Sequence, residues 1–213
     1  MVSLDLRPGS AAAPVARRIW RQALFDVANA LRNGENLLLT LVIPIGVLLL
    51  VLKTPLGAER TDGEALIVAS SLAVLATAFT SQAIGTGFDR RYGVLRMLGL
   101  SPLGVRGLLS ARALVSLLII AGQVPPESLP PSAAQILQAG LAILVAIWGF
   151  NAWALLIAGA LRAEATLAVA NAVFLLLMFG GGLAVPAEDL PWAGATGWLP
   201  TGALVDAMSQ PVV

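Results

Sequence analysis

The sequence predicts an all-α membrane protein, a polytopic helical bundle of about five spans preceded by an amphipathic helix at the membrane interface. Three observations carry this prediction. Long apolar runs alternate with short polar segments, the basic residues cluster on alternate connections, and an arginine-rich stretch with a tryptophan precedes the first apolar run. Together they favour a chain that crosses a bilayer several times.

The composition is not that of a soluble domain. Hydrophobic residues make up 58% of the chain and charged residues 12%, whereas soluble proteins carry about 25% charged residues. So few charges could not cover so much apolar surface in water. A bilayer removes the need to cover it.

Two segments are predicted before the first span. Residues 1–14 are predicted to be a disordered cytoplasmic tail, and residues 15–34 an amphipathic interfacial helix. The apolar stripe of that helix consists of Trp20, Leu24, Val27 and Leu31. The opposite, polar side consists of Arg18, Gln22, Asn29 and Arg32. A basic helix with a tryptophan is typical of a membrane surface. A soluble helix packed on a partner is the alternative.

The transmembrane domain is expected over residues 35–213. Its predicted spans are residues 37–53, 65–87, 108–124, 133–158 and 166–184. Arg112 is expected near the membrane interface, where its long side chain could reach water. Residues 186–204 are too polar and too often interrupted by proline to span.

Arginine placement predicts the orientation. Eleven of the 13 basic residues fall on one side of the predicted topology, and only Lys53 and Arg60 fall on the other. Cytoplasmic loops of membrane proteins carry the excess of Lys and Arg. The N-terminus is therefore expected in the cytoplasm.

The sequence lacks the residues that several kinds of catalysis and metal binding require. The chain has no Cys and no His, which excludes thiol and imidazole catalysis and His/Cys metal sites. No nucleotide-binding signature occurs. An intramembrane hydrolase is disfavoured because its usual Ser-His pair, paired span aspartates or metal-binding histidines are missing. We therefore expect no catalytic residue and no bound metal.

A few mild polar residues lie inside the predicted spans. Gln82, Asn151 and Asn171 could form hydrogen bonds between helices, or they could line a substrate pathway. The sequence leaves both interpretations open.

Residues 88–107 form an inner-face connection that is longer than the topology requires. Leucines alternate with arginines along it, and Ser101-Pro102 is expected to begin a new helical turn. It could be a connector held by anionic lipid or a docking element for a cytoplasmic partner.

The run DRRYGVLRMLGLSPL, from Asp89 to Leu103, resembles the loop after the second span of type-2 ABC exporter permeases. Other landmarks agree in order: the amphipathic helix, Leu161–Asn171, Gly180–Pro186, and the pattern from Leu190 to Pro200. The resemblance covers about residues 15–210. Members of that family have six spans, and the sixth would begin where this sequence stops.

The resemblance implies roles for three groups of residues. The ATPase-coupling loop would comprise Asp89, Arg90, Arg91, Gly93, Leu95, Arg96, Leu98, Ser101 and Pro102. The interfacial helix, with Arg17, Arg18, Trp20, Arg21 and Leu24, would help form a collar around the ATPase. The outer gate, a re-entrant segment over residues 186–204 with the turn before it, would comprise Gly181, Gly182, Pro186, Leu190, Pro191, Trp192 and Pro200.

The resemblance also implies partners and a location. The chain would be a permease subunit in a bacterial plasma membrane, moving an amphiphilic drug, lipid or glycan-like substrate outward. Its partners would be a cytoplasmic ABC ATPase, a second permease copy or paralogue, and membrane lipid, with no nucleic acid. ATP and Mg²⁺ would bind the ATPase, so this chain would hold no cofactor and would not be an enzyme. The alternative is a non-transporting membrane anchor or assembly factor.

Overall fold

A computed structural model describes residues 13–32, 62–123 and 132–210, together with Gly34 and Gly46. Over these residues the chain is all-helical and contains no strand. The main helices are α1 (Val15–Arg32), α2 (Asp62–Val74), α3 (Gln82–Arg91), α4 (Val94–Gly99), α5 (Gly104–Ala121), α6 (Ala133–Ala160), α7 (Ala163–Gly180) and α8 (Pro200–Ser209).

A π-helical segment, Leu75–Ser81, joins α2 to α3 and makes one long helix at the centre of the bundle. Its side chains from Leu75 to Thr80 are buried. Phe79 contacts two aromatic rings of α6, with centroids 6.1 Å from Phe150 and 5.0 Å from Trp153. Small residues elsewhere on α2 let the surrounding helices approach closely. This helix therefore forms the core of the bundle.

The bundle has two ends of opposite charge. At the basic end, α3 finishes beside the end of α6 and the start of α7, since Arg90 donates to Ala158 O at 2.9 Å. At the acidic end, Gln138 of α6 donates to Ala207 O of α8 at 2.9 Å. The basic end carries Arg90, Arg91, Arg96, Arg106 and Arg162, and the acidic end carries Glu64, Glu188, Asp189 and Asp206. This charge separation follows the predicted topology.

Within the described parts of the chain, three helices are long and apolar enough to cross a membrane: Gly63–Arg91, Ala133–Ala160 and Ala163–Gly180. They match the predicted spans 65–87, 133–158 and 166–184 in position. The predicted span 108–124 corresponds to helix α5, which is not among the three. The predicted span 37–53 lies outside the described residues except for Gly46. About five spans were predicted; three are supported.

The predicted last span extends too far along the chain. Helix α7 ends at Gly180, and Gly182 adopts a left-handed φ of 82°. The amides of Leu183 and Ala184 then both donate to Met178 O. These bonds satisfy a terminal carbonyl and turn the chain back against the helix, so residues 181–184 belong to a turn.

Helix α1 lies against α5. Ala23 packs with Ala111 and Val115, and Val27 lies partly buried beside them. Trp20, Leu24 and Leu31 remain exposed. The predicted apolar stripe is therefore divided, because the small side chain of Ala111 lets the adjacent face of α1 pack closely. The predicted tail lies outside the described residues except for its last two positions. The helix is described over Val15–Arg32, and Gly34, the last residue of the predicted interfacial helix, is also helical.

Candidate functional site

The segment predicted to dock a partner forms a short helix between two sharp turns. Helix α4 follows Gly93, with φ of 75°, and Gly104, with φ of 66°, begins α5. Both values lie in the left-handed region, which glycine adopts without a Cβ clash. These turns separate α4 from its flanking helices and set it at the basic end of the bundle.

Three consecutive residues at the end of α3 each contact a different helix. Asp89 accepts a hydrogen bond from Arg112 of α5 at 2.6 Å, Arg90 donates to the carbonyls of Ala158 and Gly159 at the end of α6, and Arg91 pairs with Glu164 in the first turn of α7. An arginine at a helix C-terminus and a glutamate at a helix N-terminus also complement the helix dipoles. This triplet anchors the start of the docking segment to the bundle.

The triplet belongs to the predicted coupling loop, and its role in coupling stays a prediction. The charged groups of Asp89, Arg90 and Arg91 contact the chain's own helices. The physical reason is that α3 ends among the termini of α6 and α7, where carbonyls and Glu164 are within reach.

The exposed face of the segment, which we term the α4 face, consists of Tyr92, Arg96, Met97 and Leu100. Leu100 is 85% exposed and Met97 is 72% exposed. Large apolar side chains that lie together on an exposed surface mark a site of contact with a partner protein or a membrane. Of the residues predicted for the coupling loop, Arg96 lies on the α4 face, and Arg90, Arg91 and Pro102 are exposed beside it.

Leu95, Leu98 and Ser101 of the predicted coupling loop lie on the side of the segment that faces α5. Leu95 and Leu98 are partly buried and line a small cavity of about 170 Å³ beside α5. The Ser101 hydroxyl donates to Leu98 O at 2.6 Å and accepts from the Leu103 amide at 3.3 Å. Ser101 was expected to begin a new helical turn; it instead stabilises the turn between α4 and α5, and Pro102 is exposed beside it.

Arg112 lies at the centre of a buried polar network. The residue is only 8% exposed, and its guanidinium contacts Asp89, Thr86 and Gln82. It was expected near the start of its span, with its side chain extended to water. The helix in fact begins at Gly104, about two turns before Arg112. At that depth, the carboxylate of Asp89 serves as the partner for the buried cation.

A polar cavity of about 460 Å³ lies beside this network, between α1, α3 and α5. Asp26 of α1 lines it together with Asp89 and Arg112, and accepts a hydrogen bond from Gln22 at 2.8 Å. Burial raises the pKa of the Asp26 carboxyl, and the Asp89 charge adds to that effect, while Gln22 and Arg112 oppose it. The sequence did not single out Asp26, and it predicted that Arg112 would reach water. The sequence signal for a buried pair was Arg112 itself, because a charge within a predicted span requires a partner.

The three candidate pathway residues do not come together. Gln82 lines the polar cavity and accepts a hydrogen bond from Arg112 at 3.2 Å. Asn151 is buried and donates to Ile147 O of its own helix at 2.9 Å. Asn171 lies partly buried on α7. The sequence left open whether these residues form hydrogen bonds between helices or line a substrate pathway. For Gln82, the observed contact is a hydrogen bond between helices α3 and α5.

The predicted outer gate folds over the end of α7. Gly181 and Gly182 are buried, and a Cβ added to Gly181 would overlap the hydroxyl of Thr201 on α8. Trp192 donates its indole N–H to Gly180 O at 3.1 Å. Pro186 and Leu190 flank the short helix Ala187–Asp189, Pro191 is exposed, and Pro200 is the first residue of α8. These residues form one cap at the acidic end.

An apolar groove of about 870 Å³ runs between α6 and α8. Leu137, Leu141, Val145 and Leu204 are among its lining residues, and Trp153 lies at its far end from Ala134. Its lining is almost entirely aliphatic or aromatic. No pattern in the sequence indicated it, because its two walls come from helices far apart in the chain.

The exposed side of α1 bears most of the residues predicted for the interface. Arg17, Trp20, Arg21 and Leu24 are exposed, whereas Arg18 is partly buried. Aromatic, aliphatic and basic side chains on one accessible surface are typical of an interfacial helix.

The fold and its three long apolar helices indicate a helical membrane protein. No family model, curated protein or solved structure matches the chain.

Proposed function

We propose that this chain is the membrane-spanning subunit of an ATP-driven exporter of the type-2 ABC class. Its basic end would face the cytoplasm of a bacterium, and a separate ATPase subunit would bind and hydrolyse ATP there. The substrate would be an amphiphilic molecule such as a drug, a lipid or a glycan-like compound, moved outward with the help of a second permease copy or paralogue.

One observation carries the proposal. The α4 face exposes apolar side chains and a cation, while the residues immediately before it are fastened to α5, α6 and α7. A partner that pushed on the α4 face would therefore act on three helices at once. A merely structural connector has no need of both an exposed apolar face and such anchoring.

The distribution of charge supports the orientation. Five arginines lie at the basic end, and four carboxylates lie at the acidic end. The bias of Lys and Arg towards cytoplasmic segments would place the α4 face where a cytoplasmic ATPase could reach it.

Charge reversal at the α4 face tests the proposal. The chain would be expressed with a candidate ABC ATPase subunit, the complex purified, and ATP turnover measured in proteoliposomes. We expect Arg96→Glu to reduce permease-dependent turnover at least about tenfold, because loss of an interface charge contact costs a few kcal/mol. Asp206→Arg, a reversal at an exposed position of α8 outside the gate segment, is the matched control and should leave turnover unchanged.

Two outcomes would count against an exporter subunit. Unchanged turnover with Arg96→Glu would remove the α4 face from the coupling role. Stable co-purification with the ATPase, but without any stimulation of turnover by the unmodified chain, would favour the alternative of a membrane anchor or assembly factor.

A further inference from the structure

Arg112 is held by one carboxylate in the structure but lies beside a second. Asp89 of α3 pairs with it at 2.6 Å, and the Asp89 side chain is 35% exposed while that of Arg112 is 10% exposed. Asp26 of α1 lines the same cavity. The Arg112 cation is thus more deeply buried than the Asp89 carboxylate. A buried cation needs a nearby carboxylate to offset its loss of hydration.

Helix α1 places Asp26 close to this cation. Ala111, the neighbour of Arg112 in sequence, packs against Ala23, which lies one turn before Asp26. The cavity between α1, α3 and α5 leaves about 460 Å³ into which a side chain could move. Close-packed interiors offer no such room.

Arg112 also retains an unused donor. Its terminal nitrogens contact Asp89, Thr86 and Gln82, but its buried Nε donates to no acceptor among the described residues. A buried donor without a partner costs free energy that an additional acceptor would recover.

We infer that Asp26 is the second counter-ion of Arg112, so that the arginine is shared between α3 and α1 and passes to Asp26 when Asp89 is neutralised or displaced. The charged groups that face Asp26 are Arg112 from α5 and Asp89 from α3; Tyr92 lines the same cavity, and Gln22 contacts Asp26 from α1.

The arrangement links α1 to the docking segment. Asp89 lies a few residues before α4, so a change of partner at Arg112 would release one of the three contacts that anchor the end of α3 and would tighten α1 on α5. This last step rests on the proposed function. The sharing of Arg112 does not, and can be tested on the chain without its ATPase.

The sign of one substitution distinguishes the sharing from a fixed pair. In the wild type, burial and Asp89 raise the pKa of Asp26, so the native state holds its proton to higher pH than the unfolded chain does. Stability then falls as pH rises above 3.8, the ordinary pKa of an aspartate. Asp26→Asn should therefore raise the apparent unfolding temperature at pH near 7. In an Asp89→Asn background Asp26 becomes the sole counter-ion, and the same Asp26→Asn change should lower that temperature.

The experiment uses the purified full chain in detergent at neutral pH, with thermal unfolding of the wild type, both single variants and the double variant. Asp189→Asn, an exposed carboxylate at the acidic end, is the control and should shift the temperature equally in both backgrounds. If Asp26→Asn has the same sign in both backgrounds, Arg112 is not shared and the inference is overturned.

The double variant Asp26→Asn/Asp89→Asn could fail to accumulate in cells. In that case Arg112→Gln is added to it, which removes the buried cation that has lost both carboxylates, and we expect folded protein to be restored. Failure to restore accumulation would show that the two carboxylates act independently of Arg112, which also overturns the inference.

Discussion

The guanidinium of Arg90 donates to the carbonyl oxygen of Ala158 at 2.9 Å, a contact between residues 68 positions apart in the chain. It joins the end of the central helix to the end of α6. The neighbouring Gly159 carbonyl accepts from the same nitrogen. The cation thus satisfies the terminal carbonyls of α6, which have no partner within their own helix.

We expect Arg90→Gln to destabilise the chain by about 1 kcal/mol, since a hydrogen bond at an exposed side chain is worth no more than that. Thermal unfolding in detergent would measure it. Glu164→Gln is the comparison: it removes the ion pair with Arg91, in which both side chains are more than half exposed, and should cost about 0.5 kcal/mol or less. An effect of Glu164→Gln equal to that of Arg90→Gln would contradict this ranking.

Gly181 should tolerate no side chain. A Cβ there would overlap the Thr201 hydroxyl, which donates to Leu177 O at 3.0 Å, so α8 would have to move. We expect Gly181→Ala to cost about 1–3 kcal/mol, as overpacking does elsewhere. Gly194→Ala is the matched control because nothing lies within 4 Å of its added Cβ. Equal unfolding temperatures for the two variants would argue against the packing of α8 on α7.

Phe79 should be the most costly single truncation in the π segment. It is fully buried and contacts the rings of Phe150 and Trp153. We expect Phe79→Ala to cost about 3–5 kcal/mol through lost contacts and a residual cavity. Trp148→Ala removes a larger ring that is 54% exposed and should cost much less. Guanidinium or thermal unfolding of both variants would test the comparison, and a larger loss at Trp148 would contradict it.

Thiol labelling should report the orientation directly, because the chain contains no Cys. Arg96→Cys lies on the α4 face and Glu188→Cys lies at the acidic end, both at exposed positions. In intact cells, a membrane-impermeant maleimide should label Glu188→Cys only. After permeabilisation it should label both. Labelling of Arg96→Cys in intact cells would reverse the proposed orientation and remove the α4 face from the cytoplasm.

The sequence by itself determined the class of the fold and the position of its long helices. Apolar runs as long as 63–91, 133–160 and 163–180 have to satisfy their backbone hydrogen bonds internally, and a helix does so within one segment. The separation of arginines from carboxylates was likewise visible, since it depends only on the order of charges along the chain. The predicted role of the segment from Asp89 to Pro102 remains a proposal.

Tertiary structure decided which charges are available. Arg90, Arg91 and Arg96 are all exposed and have equivalent side chains in a sequence, yet the first two are engaged by α6 and α7 while the third lies on the α4 face. The burial of Arg112 beside Asp89, 23 residues away, depends on how α3 packs on α5. Local periodicity carries no information about such pairings, because the free energy of a buried charge is set by groups that only folding brings within a few ångströms of it.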